Sequence, residues 1–144
     1  MDHDTVFIAS DHAGFALKEY LCAGLSAQGL RMEDLGPESA ESCDYPVFAH
    51  KLCARVSAEG GRGILICGTG VGMCMAANRH KGIRAALCTD EFTARACRAH
   101  NNANILCLAA RVTAPPLAGD LADIFLRTEF EGGRHARRVA LIEV

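Results

Sequence analysis

Five short apolar runs punctuate the chain, and between them apolar residues recur at helical spacing. "VFIAS" (6–10) is almost continuously apolar and predicts a buried strand. Leu17, Leu21 and Leu25 then recur every four residues, the stripe of an amphipathic helix, which Gly29 ends. "LRMEDLG" (30–36) alternates only in part and predicts a weaker strand. After the polar loop "PESAESCDY", Pro46 suits the first turn of a helix striped by Phe48, Leu52 and Val56. "GILIC" (63–67) is a fully apolar strand followed by a glycine-rich loop and a helix to about residue 80. "IRAALC" (83–88) and "ANILCLA" (103–109) predict two more strands, separated by a helix that Thr89 or Asp90 can cap. "APPLAGDLADIFLRT" reads as a helix opened by prolines, and the tail after the glycine break at 132–133 as a short helical segment.

Strands apolar on both faces and alternating with helices predict a doubly wound α/β domain with five strands. No internal repeat, low-complexity stretch or linker divides residues 1–144, so one domain is expected. In such folds ligands bind beyond the carboxyl ends of the strands. That rule selects Ser10–Asp11–His12, the segment from Cys67 onward, and the segment after Cys88.

Composition narrows the partners. The formal charge of −2 offers no basic stripe for nucleic acid and no polybasic membrane-binding tail. The N-terminus lacks the pattern of a signal peptide, and no apolar run reaches 18 residues, so a soluble cytoplasmic protein is expected. Eight cysteines without a single CxxC spacing argue against a zinc ribbon or a redox pair and read mostly as reduced core residues.

Four stretches can carry chemistry. In "CGTGVG", Gly68, Gly70 and Gly72 allow a tight turn of backbone N–H groups at a helix N-terminus, which would favour a thiolate at Cys67. The spacing is GxGxG, neither GxGxxG nor a P-loop, and an inert strand-end cysteine is an equal alternative. In "SDHAG", Asp11 can orient His12 or cap the following helix. In "CRAHNNAN", His100 suits proton transfer near neutral pH, against an ordinary Asn-rich turn. In "GGRHARR", Arg134 and Arg138 share a helix face and can clamp a phosphate or form a solvated tail; Arg111 is a further candidate. His3, His50, His80 and His135 read as surface residues.

Taken together, "SDHAGF", "DYP", "ILICGTGVGM", "AANRHKGIRAALC", "HNNANIL" and "EGGRHARR" resemble the family of ribose-5-phosphate isomerase B and the related galactose-6-phosphate and allose-6-phosphate isomerases. The resemblance spans residues 10–138 in the expected order. It implies a Rossmann-like three-layer sandwich with a five-stranded, mainly parallel sheet. It also implies a homodimer with active sites built from both subunits, sometimes paired into tetramers, with residues 130–144 packing at the dimer interface. No metal and no cofactor are implied.

The resemblance also supplies roles. Cys67 is the expected base, His100 the ring-opening group, and Thr69 a further catalytic donor. Asp11, His12, Tyr45, the loop Gly68, Gly70, Val71 and Gly72, and Asn101 are expected substrate contacts. Arg111, Arg134 and Arg138 are expected phosphate ligands. Met73 stands where one branch of the family places a glutamate base, so this chain resembles the cysteine-base type, and Cys74 is assigned to the helix interior. The expected reaction is the interconversion of ribose 5-phosphate and ribulose 5-phosphate through an enediolate. The alternatives are another aldose phosphate (allose 6-phosphate, galactose 6-phosphate or erythrose 4-phosphate) or a non-catalytic phosphosugar-binding module.

Overall fold

The computed structural model describes residues 4–144; His3 lies outside them. The elements follow in the order β1 (Thr5–Ser10), α1 (Phe15–Ala27), β2 (Arg31–Asp34), α2 (Tyr45–Glu59), β3 (Arg62–Cys67) and α3 (Val71–Ala77). Then come β4 (Ala85–Leu87), α4 (Glu91–Ala99), β5 (Ile105–Ala109), α5 (Pro115–Arg127) and α6 (Arg134–Ala140). The five strands form one sheet in the order β2-β1-β3-β5-β4, and every pairing is parallel.

The strands are apolar on both faces because both faces are covered. Val6, Ile8, Ile64, Ile66, Leu106 and Leu108 point into one core layer, which receives Leu17, Leu21 and Leu25 of α1 and Leu121 and Phe125 of α5. The alternate residues Phe7, Ala9, Leu65, Cys67, Ile105 and Cys107 point into the other, against Leu52 and Val56 of α2 and Met73 and Ala77 of α3. This is the period-2 side-chain alternation of a strand read against two helical stripes.

Three predicted elements are shorter than expected. The strands predicted at 30–36 and 83–88 contract to Arg31–Asp34 and Ala85–Leu87. Both are edge strands with half-exposed residues and a single neighbour each. The helix predicted to residue 80 stops at Ala77, because the Asn78 side chain turns away to brace β4. Its Nδ2 donates to the Ala85 carbonyl (2.9 Å) and its Oδ1 accepts from the Ala85 amide (2.9 Å). Asp90, one of the two caps predicted for α4, accepts a hydrogen bond from the Thr93 amide at 2.8 Å.

The chain reverses its direction of winding between β1 and β3, so the ligand crevice of such a sheet falls at their carboxyl ends. A buried cation steadies one wall of it. Lys18 of α1 has no exposed side-chain surface, and its ammonium donates to Asp34 Oδ2 (2.6 Å) and Glu19 Oε1 (2.9 Å). The other Asp34 oxygen accepts from the Gly36 amide (2.8 Å), and the Gly36 carbonyl accepts from Ser10 (3.0 Å). Lys18 thus holds the end of β2 against the end of β1. Burial lowers the Lys18 pKa, but the hydrogen bonds to Asp34 and Glu19 outweigh it and the net shift is upward.

Since the folded-state value is the higher one, this stabilisation is fully present below the unfolded lysine value of about 10.4 and is lost as pH rises through the folded one. Lys18→Met, which keeps the packing of the stem and strands Asp34, is expected to cost about 2–3 kcal/mol, less than for a fully buried pair because Asp34 is partly exposed. Urea denaturation at pH 7 measures it, and a loss below about 0.5 kcal/mol would show the pair to be incidental.

Candidate active site

Cys67 ends β3 and is 5 % exposed. The chain then turns sharply into α3 through Gly70, whose φ of 77° lies in the left-handed region that a side chain disfavours. This turn aims the Gly70 amide at the Cys67 sulfur, to which it donates at 3.2 Å. The Val71 amide donates to Thr69 Oγ1 (3.3 Å), which leaves the Thr69 hydroxyl proton for another acceptor.

The first intrahelical bond of α3 runs from the Cys74 amide to the Gly70 carbonyl (3.0 Å), so the Gly72 and Met73 amides have no acceptor within the helix. The loop is therefore a less uniform cradle than "CGTGVG" predicts. Two of its amides are committed, Gly70 to sulfur and Val71 to Thr69.

The rest of the crevice is built from neighbouring turns. The Asp11 amide donates to the Ile66 carbonyl (3.1 Å), tying the turn after β1 to β3 beside Cys67. Asp11 is buried, and its Oδ1 accepts from the Gly14 amide (3.0 Å), so it braces the turn that leads into α1; the N-cap itself is Gly14, not Asp11 as the capping reading predicts. His12 Nδ1 accepts from the Cys43 amide (3.3 Å), which places the ring proton of a neutral imidazole on Nε2. The sequence gives no hint of that partner, 31 residues away.

Tyr45 lies against the loop so closely that a Cβ on Gly72 would fall 2.6 Å from its Cζ. Arg111 follows β5; its amide donates to the Gly68 carbonyl (2.9 Å), and its guanidinium lies over Gly68. One wall thus gathers Asp11, His12, Tyr45, Cys67, the 68–72 loop and Arg111.

His100, Asn101, Arg134 and Arg138 are not there. His100 caps the carboxyl end of α4 and precedes β5, whereas Cys67 pairs with Ala109 at the far end of β5. Five strand residues, roughly 16 Å, separate the two edges of the sheet. At the second edge His100 gathers its own neighbours. Its ring stacks on His135 (centroids 4.4 Å apart, planes 16° apart), and its Nε2 lies 3.8 Å from Glu131 Oε2.

A shallow depression there is lined by His100, Asn101, His135, Arg138, Val139 and Ile142. His135, read from the sequence as an ordinary surface residue, belongs to this cluster. Burial, with repulsion from His100 and Arg134, lowers its pKa. Glu131 went unnoticed in the sequence, although it stands four positions before His135 across the Gly132–Gly133 turn.

Buried Arg98 secures the turn that carries His100 and Asn101. It donates to Asn102 Oδ1 (3.0 Å), the Ala103 carbonyl (2.6 Å) and the Thr128 carbonyl (3.2 Å). Cys74 points inward between α3 and the sheet, where the Cys107 thiol holds its pKa down at about 7 against the opposing effect of burial. Its place in that layer keeps it away from the crevice.

A parallel α/β sheet with a thiol, helix-start amides and the Arg111 guanidinium at its switch-point crevice is the layout of an enzyme for a small anionic molecule. The sequence profile described as ribose/galactose isomerase matches residues 6–142. A probable ribose-5-phosphate isomerase B from Mycoplasma pneumoniae is 47% identical, over 99% of this chain and 94% of its own. The crystal structure of a ribose 5-phosphate isomerase from Thermotoga maritima superposes with a TM-score of 0.95 at 51% identity, covering 98% of each chain. That of ribose-5-phosphate isomerase B from Mycoplasma genitalium with bound ribulose-5-phosphate gives 0.92 at 45% identity, covering 96% of this chain and 93% of that one. The chain belongs to the ribose/galactose isomerase family and is an isomerase.

The contact between Gly72 and Tyr45 makes a direct test of the crevice wall. Gly72→Ala is expected to displace Tyr45 and to reduce kcat/KM for a sugar phosphate at least about tenfold, a loss of roughly 1.4 kcal/mol in transition-state binding. Far-UV circular dichroism should be unchanged. A steady-state assay that finds kcat/KM intact would remove Tyr45 from the wall.

Proposed function

We propose that this chain interconverts D-ribose 5-phosphate and D-ribulose 5-phosphate through an enediolate. The observation that carries the proposal is the Cys67 thiol held by the Gly70 amide at the switch-point crevice. In the open-chain aldose, Cys67 as thiolate removes the C2 proton, and the electron pair moves to form the C1–C2 double bond of the enediolate. The O2 hydroxyl proton passes to O1, the proton held on the Cys67 sulfur returns to C1, and the carbonyl is left at C2. The Thr69 hydroxyl and the uncommitted amides at the start of α3 stabilise the developing oxyanion. His12, with its proton on Nε2, donates to a substrate oxygen. Binding energy from a phosphate remote from C1 and C2 orients the reacting carbons.

Ring opening needs a proton taken from the anomeric hydroxyl and one given to the ring oxygen, a task for His100. Within one chain His100 lies at the wrong edge of the sheet. We therefore read the active site as shared between two copies in a homodimer. One chain supplies Asp11, His12, Tyr45, Cys67, the 68–72 loop and Arg111; its partner supplies the second set, His100, Asn101, Arg134 and Arg138. Exposed apolar side chains on both sides support a covered interface: Val71, Met75 and Val112 near the crevice, Leu141 and Ile142 in the tail. In this reading residues 130–144 pack at that interface. Among the described residues no helix is long and apolar enough to cross a membrane.

A coupled assay across ribose 5-phosphate, allose 6-phosphate, galactose 6-phosphate and erythrose 4-phosphate is expected to give the highest kcat/KM for ribose 5-phosphate. Cys67→Ser is expected to retain ribose 5-phosphate binding in calorimetry while losing exchange of the C2 hydrogen with solvent deuterium. Exchange at the wild-type rate would remove Cys67 from the role of base.

A further inference from the structure

The second cluster has a feature that isomerisation does not need. His100, Glu131 and His135 each offer a ligand atom, and these atoms all lie within 4.8 Å of one another. We propose that the three residues form a site for one divalent transition ion of the zinc class, and that the bound ion inhibits the isomerase by occupying the imidazole of His100.

Two imidazoles and one carboxylate are an established donor set for zinc, which leaves a fourth, open position. Tetrahedral coordination at about 2.1 Å brings donor atoms to roughly 3.4 Å from one another, so the widest pair must close by up to about 1.4 Å. The surroundings allow this. His100 and Glu131 are 45% and 54% exposed, and neither is held by a short hydrogen bond to the other. The backbone beneath them is fixed. The Glu131 amide donates to the Ala99 carbonyl (3.0 Å), joining the tail to the end of α4, and the His135 amide closes the glycine turn on the Gly132 carbonyl (3.0 Å). The two histidine rings are stacked, nearly parallel at 4.4 Å, so their in-plane nitrogen lone pairs do not converge as they stand, and binding an ion requires the stack to open and the rings to tilt toward a common point beside Glu131.

Charge sets the fourth ligand. Glu131 supplies one negative charge against the two of the ion, and Arg134 and Arg138 stand on the adjoining helix. An anion, hydroxide or phosphate, suits the open position.

The inhibition rests on the ring-opening role proposed for His100; the metal site does not. The test uses intact protein freed of metal with a chelator and titrated with Co²⁺, followed by competition with Zn²⁺. The expected result is one Co²⁺ per chain with intense visible absorption and no near-ultraviolet band of thiolate-to-cobalt charge transfer, displaced by one equivalent of Zn²⁺. Glu131→Gln and His135→Gln should each weaken binding at least about tenfold, since even partners behind metal ligands contribute 10- to 100-fold. Zn²⁺ should slow ribose 5-phosphate turnover of the wild type, reversibly on chelation. His135→Gln, relative to its own metal-free rate, should resist the same Zn²⁺ concentration. Binding that is absent, thiolate-ligated or unchanged in both variants overturns the site and leaves the isomerase reading standing. Triad-dependent binding without inhibition overturns the inhibition and, with it, the role of His100 in ring opening.

Discussion

All five strands run the same way, and this constraint decides what one chain can do. A parallel sheet puts every strand's carboxyl end on one edge and every amino end on the other. Cys67 ends β3 and Arg111 follows β5; His100 and Asn101 precede β5. The candidate groups Cys67 and His100 are therefore divided by the length of β5, and no side-chain rotation closes that distance. The fold gives each chain two separate clusters of candidate residues, and the proposed homodimer would join them.

The two clusters are supported differently. The crevice is fixed by backbone hydrogen bonds: Asp11 to Ile66, Gly70 to the Cys67 sulfur, Arg111 to Gly68, Cys43 to His12. Such contacts hold atoms to within fractions of an ångström, which proton abstraction from carbon requires. The second edge is fixed below by buried Arg98 and left open above, where His100, Glu131 and His135 are solvent-accessible. That openness suits the proposed meeting of His100 with a partner chain. It also exposes the imidazoles to metal ions.

Much of this was legible in the sequence. Runs apolar on both faces announced β1, β3 and β5, because only strands covered on both sides look that way. The edge strands were harder, since half-exposed residues carry weaker patterns, and the placement of β5 between β3 and β4 is tertiary and leaves no local trace. The crevice residues were recognisable from "SDHAGF" and "CGTGVG". The division of the site was also written there: a residue before a strand and a residue after one lie on opposite edges. Lys18 escaped notice because a lysine inside a helical stripe reads as surface until Asp34 is brought to it. Glu131 and His135 escaped because a glycine turn, not a helix, places them together.

The central claim is that one active site needs residues of two chains. Cys67→Ser and His100→Asn chains are each expected to be inactive alone. Unfolded together in equal amounts and refolded, they should form a mixed dimer in which one site has both lesions and the other has neither. Random pairing makes half the dimers mixed, so about one quarter of wild-type activity should return. Recovery near that level confirms the shared site. A mixture as inactive as its parents would mean that Cys67 and His100 serve the reaction within one chain.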